Sequence, residues 1–143
     1  MIKQISVIAL LLIIAALSCK KPGGSTPVST AIIGSWAYSK VYIDTNLNGI
    51  MDANEMFSDT SFPHQVLKYN SDGTVIGTYY GAPWSKGTWE LTNNNTYIKT
   101  TDTAAGAIPS YAQIISISST SFEVKDTATT GGHHVEWVFL TKQ

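Results

Sequence analysis

Residues 65–80, QVLKYNSDGTVIGTYY, carry the clearest strand and turn signals of the chain. Gln65, Leu67 and Tyr69 recur with a period of two, which is typical of a β-strand with one buried face. The turn sequence NSDG follows at 70–73 and favours a tight reversal of the chain. Residues 74–80 then return, rich in the β-branched and aromatic side chains that strands prefer. The sequence therefore predicts an antiparallel hairpin here.

The same signals recur along the rest of the domain. Period-two alternation and turn residues return every eight to twelve positions, and no long helical stripe follows the N-terminal apolar segment. Further strands are predicted at 33–43, 87–91, 97–101, 110–118, 122–126 and 135–141. About eight strands suit a barrel or a sandwich. We expect an all-β domain of about eight antiparallel strands, and at this point both an up-and-down barrel and a sandwich stay open.

Composition limits the functions open to this chain. Of 143 residues, nine are basic and ten acidic, giving a formal net charge of −1, and every basic residue is a lysine. The chain therefore lacks both the basic surplus and the bidentate arginine forks on which nucleic-acid recognition relies. We expect no nucleic-acid partner.

The N-terminus has the features of an export signal. Lys3 precedes an apolar run at 7–17, which is too short to span a bilayer but fits a secretory signal. The following ALSC, residues 16–19, resembles the lipobox of bacterial lipoproteins, in which the cysteine becomes the lipidated first residue. Cys19 is the only cysteine, and lipidation would remove an otherwise unpaired thiol. The alternative is an ordinary signal peptide with a chance cysteine.

These features divide the chain into three parts. Residues 1–18 are the expected signal peptide, 19–30 the lipidated cysteine and a flexible Pro/Gly/Ser/Thr-rich tether, and 31–143 one folded domain. The resemblance implies a palmitate-type lipid anchor in the membrane. Lys20 follows the cysteine, where lipoproteins retained in the inner membrane have an aspartate. The resemblance therefore also implies the outer membrane, and we favour its periplasmic face. We expect a monomer.

Residues 44–55, DTNLNGIMDANE, predict a calcium site. They match the pattern D-x-[DN]-x-[DN]-G-x5-E, in which alternate positions of a twelve-residue loop supply the oxygens that calcium needs. Gly49 occupies the position of the sharp turn. Only three of the ligands carry a charge, so we expect a dissociation constant on the order of 10⁻⁴ to 10⁻³ M. The expected ligands are Asp44, Asn46, Asn48, the backbone carbonyl of Ile50, Asp52 and Glu55.

Two metal-free interpretations of this loop stay open. Asparagine, aspartate and glycine also crowd into hairpin loops, where they form Asx turns. Asp52 and Glu55 have the spacing of a capping box at a helix N-terminus. The residues before the loop are predicted to form a strand, whereas an EF-hand loop lies between two helices.

A family resemblance begins at Gly34-Ser35-Trp36. Gly-x-Trp near the start of the first strand resembles the lipocalin signature, in which the tryptophan plugs one end of an eight-stranded barrel. The ordered set IGSW (33–36), NSDGT (70–74), GTWEL (87–91) and VEWVF (135–139) is similar to bacterial lipocalin-like lipoproteins. The resemblance implies a single antiparallel up-and-down barrel of about eight strands, with a small hydrophobic ligand inside it. Lipocalins of the main lineage also carry a late arginine that packs over the tryptophan, and this sequence has no arginine.

The aromatic residues allow two functional hypotheses. Trp36 and Trp89 are expected to fill the core. Another four aromatics could line the mouth of a pocket or could simply lie on the outer surface of the strands: Tyr79, Tyr80, Trp84 and Tyr97. The first hypothesis is a binding module for a small apolar or amphipathic ligand. The second is a structural or interaction lipoprotein whose barrel is filled by side chains.

No catalytic motif is present in the sequence. The nucleophile elbow, the phosphate loop and HExxH are all missing, so we expect no enzymatic activity. A zinc site is suggested only weakly by His133, His134, Glu136 and His64. Adjacent strand residues point to opposite faces, so His134 and Glu136 share a face and supply just two ligands.

Overall fold

The structure, a computed structural model, describes residues 26–57, 59–128 and 134–143. The predicted signal peptide, Cys19 and most of the tether therefore lie outside the described residues, as does His133. Among the described residues, no helix has the length and hydropathy needed to cross a membrane. A one-turn helix, α1 (Val28–Ala31), precedes the strands β1 (Gly34–Asp44), β2 (Met56–Phe57), β3 (Gln65–Tyr69), β4 (Thr74–Tyr79), β5 (Ala82–Thr92), β6 (Tyr97–Asp102), β7 (Ser110–Ile117), β8 (Ser121–Ala128) and β9 (His134–Lys142).

Eight of these strands form a closed barrel. Neighbours in sequence pair antiparallel from β3 through β9, β1 pairs with β3, and β1 closes the sheet by pairing with β9. The short β2 adds two residues beside β1, opposite Val41 and Tyr42. Two single-turn 3₁₀ helices, Ala53–Glu55 and Phe62–His64, lie between β1 and β3. The predicted all-β, antiparallel up-and-down barrel is confirmed.

The predicted hairpin at 65–80 forms as expected. Tyr69 lies opposite Val75 across the β3–β4 pair. The turn between them is closed by the Asn70 amide, which donates to the Thr74 carbonyl oxygen at 2.9 Å, and Gly73 has φ of +81°. A side chain rarely adopts this left-handed conformation, so the turn requires glycine there.

Three β-bulges bend the sheet as it closes. The pairing register shifts in β1 at Tyr38/Lys40, between β4 and β5 beside Gly77, and in β7 at Ile114/Ser116. An extra residue on one strand increases the local twist and re-aims a side chain. In β5 the extra residue is Trp84, because Gly77 pairs with Ser85 and Thr78 pairs with Pro83.

Large apolar side chains close one end of the barrel. Trp36 and Ile32 are fully buried, and the Trp36 ring lies 5.4 Å from that of Phe122. The Trp36 indole N–H donates to the Ile32 carbonyl oxygen at 2.8 Å. Burial of each such side chain stabilises the fold by about 1.5–3 kcal/mol. The prediction that Trp36 belongs to the core is confirmed, and the fold is consistent with a lipocalin-like barrel.

Lys142 packs over Trp36 in this chain without arginine. Its ammonium nitrogen lies 4.7 Å from the Trp36 ring centroid. The same nitrogen donates to the Ile33 carbonyl oxygen at 2.8 Å. Lys142 therefore satisfies a backbone acceptor and seals the closed end through its charge and its aliphatic stem. Lys142 is not among the functional residues that the sequence predicted; its place directly after the last predicted strand, 135–141, was the available signal.

Candidate functional site: the barrel cavity and the 44–55 loop

The barrel interior contains a cavity of about 350 Å³. Seven large aliphatic side chains from β1, β3, β4, β6, β8 and β9 form much of its wall: Val41, Leu67, Val75, Ile98, Val124, Val138 and Leu140. Four exposed residues also line it: Trp84, Lys86, Asp102 and Ser110. The cavity therefore reaches the surface on the side of β5, β6 and β7. A wall of this kind can enclose the apolar body of a small molecule.

Two tyrosines bring hydroxyl groups into this apolar interior. Tyr69 is only 5% exposed and lines the cavity together with Tyr38. Burial raises the pKa of Tyr69 well above its ordinary value, and the neighbouring Tyr38 adds to the shift. Burial also raises the pKa of Tyr38, followed by the charges of Glu136 and Asp126. Both hydroxyls therefore remain protonated and available to donate a hydrogen bond.

Two carboxylates face each other on the cavity wall. Asp126 in β8 lies directly opposite Glu136 in β9, and both residues line the cavity. The Ser110 hydroxyl donates to Asp126 Oδ2 at 3.2 Å. The sequence suggests Glu136 only as a weak zinc ligand and gives no functional role to Asp126. The available signal was alternation, since Phe122, Val124 and Asp126 share one face of β8.

Of the four aromatics considered for the pocket mouth, one lines the barrel cavity. Trp84 does so, and a Cβ at Gly77 would approach its ring to 2.8 Å. Tyr80 instead stacks on His64 with 4.1 Å between ring centroids and lines a separate surface depression. Tyr79 is exposed and packs edge-on against Tyr80. Of these four aromatics, Trp84 is therefore the one best placed to contact a bound molecule.

In the predicted calcium loop, side-chain oxygens accept hydrogen bonds from backbone amides of the same loop. Asp44, at the end of β1, is only 1% exposed. Its Oδ1 accepts from the Asn48 amide at 3.0 Å and its Oδ2 accepts from the Gly49 amide at 2.7 Å. Gly49 has φ of +76°, as the sharp turn requires. These two hydrogen bonds hold the turn of the loop against the Asp44 carboxylate at the end of β1.

The remaining predicted side-chain ligands belong to the same hydrogen-bonded cluster. Asp52 Oδ2 accepts from the side-chain amides of Asn46 and Asn48 at 3.1 and 2.9 Å. Each asparagine oxygen also accepts one backbone amide, two residues further on. These are the Asx turns of the metal-free interpretation, but an amide oxygen has two lone pairs and can still meet a cation.

Glu55 has one carboxylate oxygen with a full set of partners and one without any. Its Oε1 accepts from the Thr45 amide at 2.9 Å, the Thr45 hydroxyl at 3.0 Å and the Asn46 amide at 3.3 Å. Its Oε2 is buried and has no hydrogen-bond partner, although Glu55 is only 6% exposed. A buried carboxylate oxygen without a partner is costly, and a cation in the loop would compensate it.

The local structure around this loop bears on the capping-box and EF-hand interpretations. Asp52 precedes the 3₁₀ helix Ala53–Glu55 but makes no side-chain capping bond, so the capping box does not form. A strand and this single turn flank the loop, not two helices. Within the described part of the chain, no three His, Cys, Asp or Glu side chains are grouped tightly enough to hold a metal by themselves. Any calcium would therefore need the amide and backbone oxygens as well.

The histidines do not add a described metal site. His64 stacks on Tyr80, and His133 lies outside the described residues.

Comparison with protein-family models gives no match, and comparison with curated proteins gives no significant one.

Proposed function

We propose that this protein is a membrane-anchored, lipocalin-like binding module that holds a small hydrophobic or amphipathic ligand inside its barrel. The observation that carries the proposal is the cavity of about 350 Å³. Ligand sites generally occupy about 300–1,000 Å³ and combine apolar walls with a few polar groups. The proposal assigns no catalytic step to the chain.

The cavity favours this function over that of a structural lipoprotein with a filled barrel. Small eight-stranded barrels can be packed solid by their inward side chains. Here three inward positions on β5 and β7 carry small residues, Ser85, Gly87 and Ala112, and all three line the cavity. Their short side chains leave the space that larger residues would fill.

Binding of an apolar fluorophore tests the proposal. The chain from Lys20 onward contains every strand of the closed barrel, and we expect it to bind N-phenylnaphthylamine with a rise in fluorescence. Ala112→Trp fills the cavity and should abolish the rise. Ala82→Trp makes the same change at an exposed position and should leave it intact. Equal binding by both variants would place the fluorophore outside the barrel and refute the proposal.

A calcium-stabilised loop is part of the same proposal. Six groups would supply the oxygens: the side chains of Asp44, Asn46, Asn48, Asp52 and Glu55 and the carbonyl of Ile50. The support comes from the pattern of the sequence, the buried carboxylate of Asp44 and the unpartnered Oε2 of Glu55. Calcium would hold the end of β1 against the 3₁₀ helix that follows the loop.

The membrane anchor is proposed from the sequence. Cys19 would carry the lipid, and the outer membrane, on its periplasmic face, is the proposed location. Labelling cells with radioactive palmitate should mark the wild-type protein, and Cys19→Ser should remove both the label and membrane association. Protease added to intact cells should leave the domain uncut; its release would place the protein on the cell surface.

A further inference from the structure

Trp84 lies at the mouth of the barrel cavity with more than half of its surface in water. It is one of the four exposed residues that line the cavity, and it is 57% exposed. The other three are polar or charged, so Trp84 is the only large apolar residue among the four. Covering an aromatic side chain of this size is favourable, because its apolar surface leaves water. A molecule that enters the cavity beside β5 would cover part of this surface.

Two features of the backbone place the indole at the mouth. Trp84 is the extra residue of the bulge in β5, and a bulge re-aims a side chain. Position 77 on the neighbouring β4 is a glycine, and a Cβ there would lie 2.8 and 2.9 Å from Cε2 and Cζ2 of the Trp84 ring. The ring therefore occupies the space in which a larger side chain at 77 would begin. The bulge and Gly77 together determine where the indole lies.

Within the part of the chain that the structure describes, the Trp84 ring contacts no other aromatic ring. Trp36 and Trp89 differ in this respect, because their rings lie 5.4 Å from Phe122 and 5.7 Å from Tyr69. Offset-stacked and edge-to-face pairs of rings gain stability beyond the area that they bury. The ring at the mouth can therefore form such a pair with a ring of a bound molecule.

The size of the cavity suits a compact molecule. An engineered protein cavity of about 150 Å³ binds benzene, and the barrel cavity measures about 350 Å³. It therefore has room for about two fused rings. A rigid ring system also loses less conformational freedom on binding than a flexible alkyl chain does. The aliphatic wall around Leu67 and Val75 would enclose the part of the ring system that lies inside Trp84.

We propose that the barrel selects flat aromatic molecules of about two fused rings, and that Trp84 determines this specificity by pairing with the ligand ring at the cavity mouth. This inference rests on the proposed binding function and specifies its ligand class. An aromatic pair adds roughly two- to twelvefold in affinity beyond area burial. A flat aromatic molecule should therefore bind more tightly than its saturated counterpart.

Three neutral probes test this inference: 2-naphthol, decahydro-2-naphthol and decan-1-ol. They have the same number of carbon atoms and one hydroxyl group each. The first two also share one ring skeleton, which is aromatic only in 2-naphthol. Each probe is titrated calorimetrically at neutral pH into the chain from Lys20 onward, with calcium present throughout. We expect the wild type to bind 2-naphthol roughly fivefold more tightly than decahydro-2-naphthol.

Two variants remove the aromatic contact by different routes. Trp84→Leu replaces the indole by an aliphatic side chain, and Gly77→Ala introduces a Cβ that displaces the indole. That Cβ would also meet the Ser85 hydroxyl, which can rotate away. Both variants should lose the preference for 2-naphthol over decahydro-2-naphthol. Both should still bind decan-1-ol with an affinity close to that of the wild type, because the aliphatic wall is unchanged.

The matched control is Tyr79→Leu, which removes an exposed aromatic at the end of β4 that does not line the cavity. It should retain the preference for 2-naphthol, and a thermal melt of each variant checks that the barrel is folded. Equal binding of 2-naphthol and decahydro-2-naphthol by the wild type would overturn the aromatic inference and leave the binding function standing. An unchanged preference in Trp84→Leu would do the same. If none of the three probes binds to the wild type, both proposals fail.

Discussion

Glu55→Gln tests the calcium loop with a change of one atom and one charge. The glutamine oxygen can still accept from the two backbone amides and the Thr45 hydroxyl that reach Oε1. The unpartnered Oε2 is replaced by an amide nitrogen, which cannot coordinate a cation. Without calcium, weaker hydrogen bonds and the relief of a buried charge oppose each other, so stability should change by no more than about 1 kcal/mol.

The effect should appear only when calcium is present. At calcium about a hundredfold above the dissociation constant, binding stabilises the wild type by about 2.7 kcal/mol. A hundredfold loss of affinity would leave about 0.4 kcal/mol in the variant. The difference of about 2.3 kcal/mol corresponds to roughly 10 °C in Tm for a domain of this size.

Thermal melts followed by circular dichroism measure this difference in calcium and in chelator. Glu123→Gln is the control for a Glu-to-Gln change away from the loop, and magnesium in place of calcium controls for general screening by divalent ions. Magnesium should stabilise the wild type far less, because its small octahedral shell fits this loop poorly. If wild type and Glu55→Gln melt together in both buffers, the loop is a metal-free turn.

Two further predictions concern the closed end and the buried tyrosine. Lys142→Met should lower the free energy of unfolding in urea by about 1–3 kcal/mol, because the Ile33 carbonyl loses its donor. Lys68→Met makes the same change at an exposed position and should lower it little. Equal losses of stability in the two variants would refute a special role for Lys142. Burial raises the pKa of Tyr69, so above about pH 10 the unfolded state loses this proton while the folded state keeps it, and stability should fall by about 1.4 kcal/mol per pH unit. Tyr69→Phe should make that fall less steep, with a remainder from Tyr38, whose pKa burial also raises. Tyr111→Phe, at a half-exposed position, should leave it unchanged, and identical alkaline melts for all three proteins would contradict the assignment.

The sequence predicted the strands better than it predicted the site they enclose. Strand alternation and turn residues are local signals, so the hairpin at 65–80 could be predicted directly from the sequence. The closing pair β1–β9 joins residues about a hundred positions apart. Only the family resemblance indicated that closure.

The interior of the cavity could not be predicted, because it depends on the register of every strand. Asp126 alternates correctly with Phe122 and Val124, but a charged residue is ordinarily expected to face water. Trp84 reaches the cavity from a bulge, and a bulge has no clear mark in this stretch of sequence. Lys142 reaches Trp36 across the same β1–β9 closure.

Native mass spectrometry of the chain from Lys20 onward, purified from the bacterial periplasm, tests the central claim that the barrel holds a ligand. The account predicts a mass excess of one small molecule in addition to any calcium, present in wild type and Ala82→Trp and lost in Ala112→Trp. A polypeptide that carries no small molecule, or an adduct that persists unchanged in Ala112→Trp, would contradict it.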